Sequence, residues 1–227
     1  MEIEKRPRLE FTGVQSEPLD GGQSRVILQT GDGNIEGIFH PTEGNSGVIW
    51  LCGALGGFDG PSFGIFTVLS HELTSEGINS LRLHYRFPGE FDECVLDVLV
   101  AVQFLKQNSV DRIALAGHSF GGAVAIMAGT MSPLVKAVVG LSSQTFGAQR
   151  VNQLSPRPLL LIHGERDRNL SVRCSQDIYN WANEPKELVI YQGCGHFLRE
   201  CHDELHDLLK NWLVDKMSGK PQPESGP

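Results

Sequence analysis

The order of strand-like and helix-like runs predicts an α/β protein: a mostly parallel eight-stranded sheet with helices on both faces. Three observations carry this. Three strand-like runs come first, and helical periodicity fills most of the gaps between the later ones. A Gly-x-Ser-x-Gly pentapeptide, Gly117-His118-Ser119-Phe120-Gly121, separates an apolar run from a helix-favouring one. An aspartate and a histidine, Asp167 and His196, each lie just past the end of a later strand-like run.

Residues 1–24 are polar and punctuated by Pro18, Gly21 and Gly22, and read as an extended, irregular lead-in. Strand-like runs follow near 25–30, 35–39, 47–52, 79–84, 111–116, 135–141, 158–163 and 187–191. Helical spacing joins Phe63, Phe66, Leu69 and Leu73, then Phe91, Val95, Val98, Val102 and Leu105, and recurs over 120–131, 172–182 and 198–216. Adjacent opening strands imply an antiparallel start, and the alternation that follows implies parallel crossovers. Residues 25–217 are expected to form one domain, because 227 residues with 40% hydrophobic content suffice for one core and are short for two. The tail 218–227, rich in Pro, Gly and Ser, has nothing to bury and is expected to be disordered.

The formal net charge of −8 and the lack of a long Lys/Arg run argue against a nucleic-acid surface. No apolar stretch reaches the roughly 18 residues of a membrane span. The opening Met1–Pro7 mixes both charge signs with no apolar segment behind it, so a cytoplasmic setting is expected. Five cysteines, odd in number and unpatterned, suit reduced thiols. Cys194, His196, Cys201, His202 and His206 include metal-ligand residue types, but Cys201 fits the apolar stripe of the last helix while His202 and His206 fall on its polar side. The expectation is therefore no metal and no cofactor.

The chemistry centres on Ser119. Arg112–Ala116 reads as a strand and Ala123–Ala128 as a helix, so the serine sits on a tight strand-to-helix corner. Such a corner strains the central residue and leaves no room for side chains at the flanking glycines. It exposes the serine Oγ and aims the amides of the next helix at a developing oxyanion. A serine needs a base and a group to orient that base, expected downstream in the order acid, then histidine. Asp167 follows the buried run Pro158–Gly164, with Glu165 as the rival acid, and His196 lies in the Gly-rich loop after Glu187–Tyr191. His118 and His163 are read as structural, satisfying loop backbone or polar neighbours near the site.

Over roughly residues 25–215 the chain resembles the α/β-hydrolase superfamily, on Gly117–Gly122, His163-Gly164-Glu165-Arg166-Asp167 and Gly195-His196-Phe197. Within it the chain is similar to the small capless hydrolases grouped with dienelactone hydrolases and serine aminopeptidase-like esterases, and Leu81–Asp92 is similar to the segment these carry after their fourth strand. Dienelactone hydrolases use a cysteine nucleophile; Ser119 stands here, so that activity is not carried over. The resemblance implies an α/β-hydrolase fold with Ser119, Asp167 and His196 as triad and the backbone N–H groups of Ala54 and Phe120 as oxyanion hole, with Leu55 in reserve for Ala54. The usual His-Gly before that loop is replaced by Cys52-Gly53. A cap would be inserted between Leu141 and Pro158, where too few residues lie to fold one. Phe63, Phe87, Phe120, Phe146 and Phe197 are candidates for an acyl pocket, and Arg86 for binding a substrate carboxylate or, more simply, for pairing with Glu90, Asp92 or Glu93. The expected activity is hydrolysis of an ester, thioester or related acyl bond of a small molecule. The alternative is a non-catalytic binding protein on the same fold.

Overall fold

The computed structural model describes residues 9–218. A nine-stranded sheet forms from β1 (Phe11–Pro18), β2 (Ser24–Thr30), β3 (Gly33–His40), β4 (Ser46–Leu51), β5 (Ile78–His84), β6 (Arg112–His118), β7 (Val135–Leu141), β8 (Leu159–Gly164) and β9 (Lys186–Tyr191), in the order β1-β2-β3-β5-β4-β6-β7-β8-β9. The pairs β1–β2, β2–β3 and β3–β5 are antiparallel. All the remaining pairs are parallel.

The ninth strand corrects the expectation of eight. Residues Phe11–Pro18, read as irregular lead-in, pair in register with β2, Val14 opposite Leu28. Most of this strand is exposed on both faces, so it carries no apolar alternation, and it is held by backbone hydrogen bonds that leave no trace in the residue pattern. Residues 1–8 of the lead-in and 219–227 of the tail lie outside the described residues.

The helices are α1 (Ile65–Glu72), α2 (Phe91–Gln107), α3 (Phe120–Met131), α4 (Arg173–Trp181) and α5 (His202–Met217). The central strands β4, β7 and β8 are buried almost throughout because helices cover both faces. Alternate residues feed two cores. Ile49, Leu51, Leu115 and Val138 pack under α2, α3 and α4, while Val48, Trp50, Ala116 and Val139 pack under α1 and α5. Each fully buried aliphatic side chain contributes about 1.5–3 kcal/mol. No cap follows β7: Ser142–Pro158 holds a single short turn of 3₁₀ helix, Val151–Leu154.

Arg86 corrects the carboxylate-binding alternative, since its side chain is 1% exposed and already engaged. It reaches Asp97 of α2 at 2.5 Å, Glu93 at 2.6 Å and Asp32 at 3.3 Å. Asp97 also accepts the Arg86 backbone N–H at 2.7 Å. Of the three partners expected for this arginine only Glu93 is used; Asp97 and Asp32 come from positions that helical and loop geometry bring near. The cluster fastens α2 to the loop after β5. Replacing Asp97 with Ala strands a buried guanidinium, at a cost of about 3 kcal/mol, the lower end for a broken buried pair because Glu93 remains. Urea unfolding checks this, and a loss below about 1 kcal/mol would refute the role.

Candidate active site

The loops following β4, β6, β8 and β9 meet at the carboxyl edge of the parallel strands. The corner between β6 and α3 places Ser119 at φ 58°, ψ −118°. A non-glycine residue held there stores about 1–3 kcal/mol that the surroundings must outweigh. Packing accounts for the glycines: a Cβ on Gly117 would strike the backbone of Gly121, and one on Gly121 would strike the carbonyls of Leu51 and Cys52 at the end of β4. Ser119 N–H donates to Leu141 O at 2.8 Å, pinning the corner to β7.

The loop after β8 is tied to the loop after β9. Glu165 N–H donates to Tyr191 O at 2.9 Å and Arg166 N–H to Cys194 O at 2.8 Å. This brings Asp167 to His196, whose Nδ1 lies 2.7 Å from Asp167 Oδ2. Asp167 Oδ1 accepts the N–H groups of Asn169 at 2.8 Å and Leu170 at 2.9 Å. Its side chain is fully buried. Burial pushes its carboxyl up, but the Leu170 N–H, the His196 contact and the Asn169 N–H together outweigh this and hold it below the usual aspartate range. The rival acid, Glu165, is half-exposed and instead accepts Gly193 N–H at 3.2 Å.

Because a carboxylate can only accept, His196 Nδ1 carries the proton, leaving Nε2 as the acceptor of a neutral ring. His196 and Ser119 line one cleft of about 400 Å³ together with the loop after β4 from Cys52 to Gly60. Among the described residues no hydrogen bond joins Ser119 Oγ to His196. The structure thus couples Asp167 to His196 directly and sets Ser119 in one cleft with His196.

A methyl on Gly53 would stand 3.9 Å from Ser119 Cβ, so the loop after β4 borders the serine. It is folded by a Gly56 N–H to Gly53 O bond at 2.9 Å and by Gly57 N–H donating to His84 Nδ1 at 2.9 Å. Ala54 and Leu55 both line the cleft. Phe120 opens α3, so its N–H has no carbonyl partner within the helix.

Of the aromatic residues expected around a pocket, Phe197 lines the cleft, joined by Phe58, which the sequence reading passed over. The other four do not line it. The Phe120 ring is buried against Tyr85 and Phe91, Phe146 packs on Phe91, Phe87 sits under Arg86, and Phe63 meets His202 edge-on. Asn169, which lines the cleft, and His84, which holds the loop after β4, were also passed over; the signals were the place two residues after Asp167 and the last position of β5. Among the described residues no three His, Cys, Asp or Glu side chains form a metal-binding group. His202 faces Ser62 Oγ at 3.0 Å, and His206 pairs with Glu72 at 3.1 Å.

The fold and the composition of this cleft define an α/β hydrolase. The chain belongs to the Phospholipase/Carboxylesterase family, whose model matches residues 95–213. Solved structures that share the fold include a dienelactone hydrolase from Anabaena variabilis (TM-score 0.73, 16% identity, 90% of this chain and 99% of that one). An alpha-beta serine hydrolase homologue from Coxiella burnetii is also similar (TM-score 0.70, 23% identity, 87% and 100%). Among curated proteins, the uncharacterized protein PA2218 of Pseudomonas aeruginosa is 41% identical over 69 residues, 30% of this chain and 16% of that protein. The uncharacterized protein YfhR of Escherichia coli is 30% identical over 79 residues, 35% of this chain and 28% of its own length. The matched segments thus cover less than a third of either relative. Among the described residues no helix is long and apolar enough to cross a membrane.

His118 supports the His196 loop from below, its Nε2 donating to His196 O at 3.0 Å with the rings 4.8 Å apart. Burial lowers its pKa from 6.5 to about 4. The folded protein therefore resists a proton that the unfolded chain accepts, and stability present above pH 6.5 is lost as pH falls toward about 4. In His118→Gln the fall in unfolding free energy across this window should be shallower by up to roughly 1.4 kcal/mol per pH unit. Urea titrations between neutral pH and the acid end of the window measure it, and an unchanged slope would contradict the assignment.

Proposed function

We propose that the protein is a serine hydrolase that cleaves an ester, thioester or related acyl bond of a small molecule through an acyl-enzyme on Ser119. The observation that carries this reading is the 2.7 Å contact between Asp167 and His196 at a cleft whose floor is the strained Ser119 corner. His196 Nε2 takes the Oγ proton as Oγ bonds to the carbonyl carbon. The N–H groups of Phe120 and of Ala54, with Leu55 in reserve, hold the resulting oxyanion. The carbonyl re-forms, the bond to the leaving group breaks, and the leaving alcohol or thiol takes the proton from His196. Water then attacks the acyl group with His196 taking its proton, the acyl–Oγ bond breaks as His196 returns that proton to Ser119 Oγ, and the carboxylic acid is released. Asp167 holds the Nδ1–H tautomer and stabilises the transient imidazolium.

The cleft also suggests which acyl groups it favours. Its walls are largely glycine, Ala54, Leu55, Phe58 and Phe197, and its one carboxylate is Asp59. Asp59 accepts from Thr67 Oγ1 at 2.8 Å and lies 3.4 Å from Arg82, yet its side chain is 78% exposed. An uncharged acyl chain suits these walls, whereas an acyl chain ending in a carboxylate meets Asp59 and loses solvation. With aryl esters, kcat/KM should therefore be higher for butanoyl than for succinyl; the reverse order would exclude this account of selectivity.

The decisive experiment pairs an active-site serine probe with the Ser119→Ala variant. The parent should label and hydrolyse aryl esters, and the variant should neither label nor retain more than about one part in 10⁴ of the turnover. A parent that never labels or hydrolyses would leave the binding-protein alternative, and a variant as active as the parent would refute Ser119 as the nucleophile.

A further inference from the structure

His163 at the end of β8 has no place in the mechanism above, yet it is fully buried and all its polar contacts are specific. Its Nε2 lies 3.1 Å from Asp167 Oδ2, on the side of the carboxylate that also meets His196. The same nitrogen is 3.1 Å from Leu170 O. Its Nδ1 is 2.7 Å from Ser175 Oγ on α4, and Ser175 is itself fully buried. The protonation state follows from these partners. A carboxylate and a carbonyl can only accept, so Nε2 must carry the hydrogen and share it between them. Nδ1 is then a bare lone pair, and the Ser175 hydroxyl must donate to it. Any other tautomer would set a lone pair against a buried carboxylate and leave the hydroxyl without its acceptor.

We propose that His163, fixed as the Nε2–H tautomer by Ser175, is a positioning residue for Asp167, so that the relay is Ser175–His163–Asp167–His196 rather than Asp167–His196 alone. Asp167 then accepts the Asn169 and Leu170 amides on Oδ1 and His196 on Oδ2, with His163 Nε2 a further 3.1 Å contact on Oδ2. The two amides fix Oδ1, and the His163 N–H beside Oδ2 restrains rotation of the carboxylate away from His196. The His163 N–H also draws off part of its charge, which limits how strongly Asp167 holds a proton on His196. Burial favours the neutral form of His163, so this donor adds no positive charge beside the imidazolium. The proposal rests on the assignment of Asp167 and His196 as acid and base, and it goes beyond it.

The test compares His163→Phe, which keeps the bulk and loses the donor, with His163→Gln, whose amide can reach the Nε2 position, and with the milder Ser175→Ala. The groups facing His196 are Asp167 and His163 from β8 and its loop and His118 from β6, and only His163 or its partner is altered. Loss of the donor should move the acid limb of the kcat/KM profile to higher pH, because the unmoderated carboxylate favours the imidazolium. It should also lower kcat by about 10- to 100-fold with little change in KM, as expected for a lost hydrogen bond to a charged group. His163→Gln should recover most of the activity and the original limb, and Ser175→Ala should shift in the same direction by less. In ¹⁵N spectra of the parent, Nε2 of His163 should be protonated and Nδ1 bare. A protonated Nδ1, or a folded His163→Phe protein with the parent's pH limb and kcat, would overturn the proposal. If the parent hydrolyses nothing, the Ser119 reading has failed, and the low-field Nδ1–H resonance of His196 still decides this one. Displacement of that resonance in His163→Phe and Ser175→Ala supports the relay, and an unmoved resonance refutes it.

Discussion

The close contact between the Ser119 corner and the end of β4 governs the geometry of the whole carboxyl edge. Gly121 lies against the carbonyls of Leu51 and Cys52 so tightly that no Cβ fits between them, and Gly117 and Gly121 touch in the same way. This approach lets α3 start directly on top of the sheet, with its first amides facing the space above Ser119. It also fixes where the loop after β4 must leave the sheet, which is why Gly53 ends beside the serine. The unfavourable backbone of Ser119 persists because Leu141 O, the β4 carbonyls and the buried first turns of α3 hold the corner in place.

The other half of the site is held by an extension of the sheet's own hydrogen bonding. Past the last paired residues of β8 and β9, Glu165 and Arg166 donate to Tyr191 and Cys194 across the gap, so the acid loop and the histidine loop behave as one unit. A Cβ on Gly164 would strike Cys194 and Gly195, showing how closely the two loops are stacked. Ser62 ties this unit to the segment before α1, its N–H donating to Phe197 O and its Oγ to Leu198 O. The distance from Asp167 to His196 is therefore set by short backbone ladders instead of by long side chains free to choose rotamers, which is the condition for preorganisation.

What could be read from the sequence and what could not divide along physical lines. The strand-to-helix corner at Ser119 and the meeting of Asp167 with His196 at neighbouring strand ends were legible because each residue stands in a corner or loop at the end of an apolar run, where residue type and chain position both carry information. The parallel strands were legible because burial on both faces writes a continuous apolar signal. β1 was not, since an edge strand facing solvent is specified by backbone pairing alone. The partners of Arg86 were half-legible: Glu93 is near in sequence, whereas Asp97 and Asp32 depend on the rotation of α2 and on the β2–β3 turn. The lining of the cleft was least legible, because whether an aromatic ring points into a pocket or into the core depends on loop conformation. Phe120 shows this, contributing a backbone N–H to the edge while its ring packs inward between Tyr85 and Phe91.

Three histidines stand within one hydrogen-bonded region, and their environments assign them different work. His118 and His163 are enclosed by core residues, and burial lowers the pKa of both, which keeps them as neutral donors. His196 shares the cleft with Ser119 and His118, its Nδ1 held by Asp167. In the proposed mechanism a cationic ring here would oppose the transient imidazolium, by about 3 kcal/mol at the 4.8 Å spacing of His118 with an effective dielectric constant near 20. As a neutral donor His118 meets the His196 backbone, and His163, on our proposal, orients Asp167 from the other side. The separation of roles follows from which rings the sheet covers and which it leaves at its edge, and so from the same strand-end geometry that strains Ser119.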